Sequence, residues 1–256
     1  QDLMMPKWQK LQKGNPCKMR YHNITKDDML NGDGLRAVLW VAGCTHKCKG
    51  CHNPVTWDIE GGIPFDEAAK EELFEELKKD YVSGVTFSGG EPTLQAKALI
   101  PLFQRLKEQN IHICIDTNGS IWNEEVEELL KWTDLVLLDI KEFNNVRHRQ
   151  LTERSNEQTI RTAEWLEKNG KPFWLRYVLV PGYSSFEEDI RALGEHFKNY
   201  HMIQRVEILP YHTLGVHKYE AMGKEYKLNG IKENTLEQLE TAKTLFGEYF
   251  NTVYLN

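Results

Sequence analysis

No stretch of this 256-residue chain is apolar for long enough to cross a membrane as a helix; runs such as Leu135–Leu138 have only strand length. A basic surplus is also missing. The formal net charge is −6, and no basic stripe is interleaved with aromatics, which argues against a nucleic-acid partner. The N-terminus shows no apolar signal core. The five cysteines are odd in number and three of them cluster, which argues against a disulfide framework and for a reducing, cytoplasmic setting. No internal repeat longer than one strand–helix unit is present.

What stands out instead is the loop that holds Cys44, Cys48 and Cys51, spaced Cys-x3-Cys-x2-Cys. Three thiolates are one ligand short of a closed zinc site or a four-cysteine cluster. On a 4Fe–4S cluster they leave one iron without a protein ligand, open to a substrate. Zinc remains the alternative on spacing alone, with His46 or His52 as the fourth ligand. Residues 1–18 are basic through Lys7, Lys10, Lys13 and Lys18 and form an expected N-terminal extension, in which Cys17 is a bystander thiol. Residues 19–256 are expected to form one domain.

From there the chain alternates strand and helix. Apolar strand-like runs fall at Arg36–Ala42, Gly84–Ser88, Ile111–Asp116, Leu135–Ile140, Phe173–Val180 and Val206–Leu209. Amphipathic, charged stretches lie between them, at Phe65–Asp80, Ala96–Gln109, Asn123–Lys131, Asn156–Asn169, Phe186–Tyr200 and Asn234–Phe250. Such alternation predicts an α/β fold of parallel strands with helices outside. The chain is short for eight units, so a partial (β/α)6 TIM-type barrel is expected, with chemistry at the C-terminal strand ends.

Polar residues sit at those ends. The cysteine loop follows the first strand. Gly89, Gly90 and Glu91 follow the second, where two glycines let backbone approach a ligand and Glu91 puts a carboxylate in the gap. Asp116 and Asp139 end the third and fourth strands, and two carboxylates at adjacent tips suggest a shared cation or a polar ligand, with Lys141 as an alternative screen. Arg176 interrupts an apolar strand and should face an anion in the lumen. His212 follows the sixth strand.

Together these motifs resemble the radical S-adenosylmethionine (SAM) enzymes, and more closely the activating enzymes of glycyl radical enzymes. Segments alike to the activases of pyruvate formate-lyase include Cys51-His52-Asn53, Asp116-Thr117-Asn118-Gly119, Leu138–Lys141, Arg176-Tyr177-Val178, Ile208–His212 and Lys218–Leu228. Met19–Trp57 is more similar to the activase of anaerobic ribonucleotide reductase, so the chain reads as a mosaic of two siblings.

The resemblance implies a 4Fe–4S cluster on Cys44, Cys48 and Cys51, reductive cleavage of SAM, and a 5′-deoxyadenosyl radical that takes hydrogen from a partner glycine. It also implies that Gly89, Gly90 and Glu91 receive the methionine amino group, and that Asn118 contacts the cofactor. Asp116, Thr117, Asp139 and the carbonyl of Leu137 would hold Na+ or K+. Lys141, Arg176 and His212 would line the cofactor or substrate pocket as catalytic groups, with His52 and Asn53 around the cluster. Pyruvate formate-lyase is the implied partner, with anaerobic ribonucleotide reductase as the alternative. Flavodoxin or ferredoxin would donate the electron to an expected monomer. A non-catalytic zinc-binding interaction protein is the alternative of another class.

Overall fold

The computed structural model describes residues 19–256. The basic segment 1–18 and Cys17 lie outside the described residues. Among the described residues, no helix is long and apolar enough to cross a membrane.

The strands are β1 (Arg20–Asp28), β2 (Leu35–Val41), β3 (Ile63–Pro64), β4 (Val82–Gly89), β5 (Ile113–Thr117), β6 (Leu135–Asp139), β7 (Phe173–Leu179), β8 (Ile203–Pro210) and β9 (Val253–Leu255). They form one sheet in the order β3-β1-β2-β4-β5-β6-β7-β8-β9. Every pairing from β2 to β9 is parallel, whereas β1 and β3 add antiparallel strands at one edge. The open, mostly parallel sheet is the expected partial barrel, widened at both edges.

The helices are α1 (Glu67–Leu77), α2 (Ala96–Glu108), α3 (Glu124–Lys131), α4 (Asn145–Thr152), α5 (Glu157–Lys168), α6 (Glu187–Phe197), α7 (Val216–Ala221) and α8 (Leu236–Gly247). Polar caps set their starts: Asp66 accepts from Ala69 N before α1, Asn123 from Val126 N before α3, and Thr235 forms a capping box with Gln238 before α8.

Side chains alternate across each strand, so each strand has two faces. Leu39, Val85, Phe87, Ile115, Leu138, Leu175 and Ile208 face outward and join Leu73, Phe103, Leu129, Leu166 and Phe197 of the helices in the main core. The inward face holds a small apolar cluster of Cys114, Leu135, Leu137 and Trp174. Cys114 packs there as a small hydrophobe, as its apolar run predicts. Below it Arg36 is buried, donating to Thr86 Oγ1 at 2.8 Å and to Val85 O at 2.8 Å.

Five elements escape the periodicity argument, β3 and α7 because they have only two and six residues. β1 is polar and half-exposed and is made a strand by its ladder with β2. β9 has three residues. The α4 sequence NVRHRQLT offers no apolar stripe.

Candidate active site

Above the inward apolar cluster, each strand turns from apolar to charged within a residue or two. Across the parallel ladders Asp116 pairs with Leu137, Asp139 with Arg176, and Arg176 with Glu207. Register therefore sets Asp139, Arg176 and Glu207 of three neighbouring strands at one level, while Asp116 is paired two residues lower on β6, at Leu137. A cavity of about 440 Å³ opens there, lined by Cys44, Cys48, Cys51, Gly89, Gly90, Asp116, Thr117, Asn118, Asp139, Lys141, Arg176 and His212.

Asp116 Oδ2 accepts from Ser88 Oγ at 2.6 Å, and Oδ1 lies 3.5 Å from Arg176 Nη1. That Oδ1 atom is buried and has no hydrogen-bond partner. Burial raises the Asp116 pKa, Arg176 opposes this, and Asp139 adds to it. Lys141 donates to Asp139 Oδ2 at 2.6 Å. Burial alone would lower Lys141, but Asp139 outweighs it and holds it protonated. Arg176 Nε lies 3.3 Å from Glu207 Oε2, and Arg176 Nη1 donates to Asn31 Oδ1 at 3.1 Å. The His212 ring meets His52 with centroids 3.8 Å apart.

Two expected residues sit apart from the cavity. The Leu137 side chain is fully buried in the apolar cluster, and only its backbone carbonyl is expected at the site. Glu91 is placed differently from expectation. Its carboxylate is sealed behind the glycine pair, where Oε1 accepts from Thr93 N, Thr93 Oγ1 and Thr117 Oγ1 at 3.1, 2.6 and 2.6 Å, and Oε2 accepts from Asn118 N at 2.8 Å. Burial raises its pKa, and these donors offset part of that rise. Glu91 thus braces the end of β5, and Asn118 held by it points Nδ2 at Cys44 Sγ, 3.9 Å away.

The glycine pair also has a specific reason. A Cβ on Gly89 would stand 2.5 Å from Val41 N, and one on Gly90 2.1 Å from Gly43 O. Gly89 thus approaches the end of β2, and Gly90 the start of the cysteine loop, which is tied down by Glu91 N donating to Gly43 O at 2.7 Å.

The donor set distinguishes a cluster from zinc. Cys44, Cys48 and Cys51 share one cavity and bring three thiols to it. Zinc gathers its ligands round a single point, whereas a cubane spreads three thiolates over three irons. Burial pushes all three thiols up, Cys48 to about 12, so a cationic centre is needed to make them thiolates. Three thiolates complete the protein ligands of an open cubane, whereas structural zinc needs a fourth from His46 or His52. His46 is buried edge-on against the His148 ring. The His52 ring is packed on His212. The residues present fit a 4Fe–4S cluster.

Asn31, Ser88, Glu207 and Asn256 were missed in the sequence. Glu207 carried the same signal as Arg176, a charge inside an apolar strand. Asn31 and Asn256 carried none, since loop and terminal segments bring them to the cavity.

A family of 4Fe–4S single cluster domains matches residues 30–161. The pyruvate formate-lyase 1-activating enzyme of Escherichia coli (strain K12) is 38% identical over 246 residues, covering 91% of this chain and 97% of the relative. That of Streptococcus mutans is 42% identical, covering 84% and 86%. Among solved structures, a radical SAM methyltransferase from Sphaerobacter thermophilus superposes with TM-score 0.65 over 99% of this chain and 82% of that one; at 12% identity it speaks for the fold alone. Likeness at this level along nearly the whole chain, with the three-cysteine loop at the top of the partial barrel, shows that it belongs to the family of pyruvate formate-lyase-activating enzymes.

Proposed function

We propose that this enzyme installs a glycyl radical in pyruvate formate-lyase. When bound, a reduced 4Fe–4S cluster supplies the electron that cleaves SAM to methionine and a 5′-deoxyadenosyl radical, which removes hydrogen from the partner's glycine. The observation that carries this reading is the convergence of Cys44, Cys48 and Cys51 with the strand-end groups on one cavity.

In this reading the chain's residues bind and orient. Cys44, Cys48 and Cys51 hold the cluster. The backbone of Gly89 and Gly90 receives the methionine amino group, and Glu91 braces the turn behind it. Arg176, Lys141 and His212 face the cofactor and the substrate glycine loop, with Asn118 beside Cys44. Na+ or K+ beside Asp116, Thr117, Asp139 and the Leu137 carbonyl is supported by the unpartnered Asp116 Oδ1, with Lys141 as its competitor for Asp139. Flavodoxin or ferredoxin is the proposed donor, the chain acts as a cytoplasmic monomer, and the continuous sheet supports one domain over 19–256.

The test is anaerobic incubation of the iron-loaded protein with pyruvate formate-lyase, SAM and a reductant, read by electron paramagnetic resonance. A glycyl radical signal is expected. Its absence, with a signal on anaerobic ribonucleotide reductase instead, would reassign the partner; absence on both would overturn the reading.

A further inference from the structure

The stretch Lys218–Leu228 resembles the activase family in sequence, yet none of its residues belongs to the site above. In the structure it lies on the outside of the cysteine loop. Lys218 Nζ donates to His52 O at 2.8 Å and to Asn53 Oδ1 at 2.9 Å. Tyr219 is buried, donates its hydroxyl to Cys51 O at 3.1 Å, and packs edge-on against Trp57. Leu228 presses on Gly50, where an added Cβ would stand 2.6 Å from Leu228 Cδ1. One short helix therefore caps two successive carbonyls at the exit of the Cys-x2-Cys turn.

These donors do more than fasten the loop. Reduction adds one negative charge to a cluster, so a fixed cation nearby and donors that draw charge from the ligand loop favour the reduced form. We infer that Lys218 and Tyr219 form a cationic clasp on the cysteine loop that raises the reduction potential of the bound cluster. The inference rests on the cluster reading of Cys44, Cys48 and Cys51. Both residues act through the loop and are positioning residues. Lys218 is half-buried, so its contribution is partly screened and weakens with salt.

The test is a redox titration of the anaerobically iron-loaded protein followed by electron paramagnetic resonance, with iron counted in every sample. Lys218→Met is expected to hold of the order of tenfold less reduced cluster at a fixed ambient potential, a fall of about 59 mV for one electron. Lys218→Arg should restore most of it, and Tyr219→Phe should give a smaller fall. Iron-replete Lys218→Met and Tyr219→Phe with unmoved potentials overturn the inference. If Lys218→Met takes up no iron, Tyr219→Phe decides alone, by the same criterion. A wild-type chain that forms no 4Fe–4S cluster overturns the proposed function instead.

Discussion

Arg176 Nη1 stands 3.5 Å from Asp116 Oδ1 although their strands are not neighbours, because β6 runs between β5 and β7. Sheet curvature folds the inward faces of alternate strands toward each other. One guanidinium thereby serves two buried carboxylates, Asp116 and Glu207, and both have pKa values raised by burial and lowered again by Arg176.

Removing that cation should be costly. Arg176→Met leaves Asp116 without its guanidinium and Glu207 with Arg205 alone, 3.0 Å away, and is expected to lose about 3 kcal/mol of stability. Adding Glu207→Gln should recover part of the loss. Denaturant unfolding of the metal-free single and double variants measures this; equal stability of Arg176→Met and wild type would mean the pairing is not felt.

Alanine at Cys44, Cys48 or Cys51 should abolish cluster retention and SAM cleavage while the circular dichroism spectrum stays that of the wild type. Cys114→Ala should keep both iron and cleavage, at a cost of about 1 kcal/mol for a small void beside Trp174. Full-rate SAM cleavage by Cys48→Ala would refute the ligand assignment.

Glu91→Gln separates a brace from a direct contact. An amide would present a donor to the hydroxyls or N–H groups that now donate to Glu91, costing about 1–3 kcal/mol. The melting temperature should fall together with SAM affinity. Unchanged melting with lost affinity would return Glu91 to the cavity wall.

Glu142 gives a pH signature. It is fully buried, and burial raises its pKa to about 7 from 4.5, although Asn144 N and Tyr177 OH donate to it at 2.8 and 3.2 Å. The folded state therefore holds this proton more tightly than the unfolded chain. Its stabilisation is complete below about pH 4.5 and is lost as pH rises through about 7. Glu142→Gln should gain melting temperature over wild type as pH rises from 5 to 8. A constant difference across that range would contradict the assignment.

Much of the frame was legible in the chain. Six apolar runs separated by amphipathic stretches became β2, β4, β5, β6, β7 and β8, because buried strands and packed helices impose those periods wherever they occur. The site's place followed from the rule that parallel strands present their C-terminal ends on one side. What could not be read was side-chain direction at the turns. Glu91 follows a strand end just as Asp116 and Asp139 complete theirs, yet the turn after Gly89-Gly90 sends it behind the wall and into the donors of Thr93, Thr117 and Asn118.

The sequence by itself determined the element types, the cysteine spacing and the charges at strand tips, since each depends on residues a few positions apart. Only the tertiary structure decided that Arg176 answers both Asp116 and Glu207, that Asn31 reaches it from a loop, and that Lys218 and Tyr219 close on the loop of Cys51. Those contacts join residues distant along the chain, and they exist only once ladder register and sheet curvature bring the strands together.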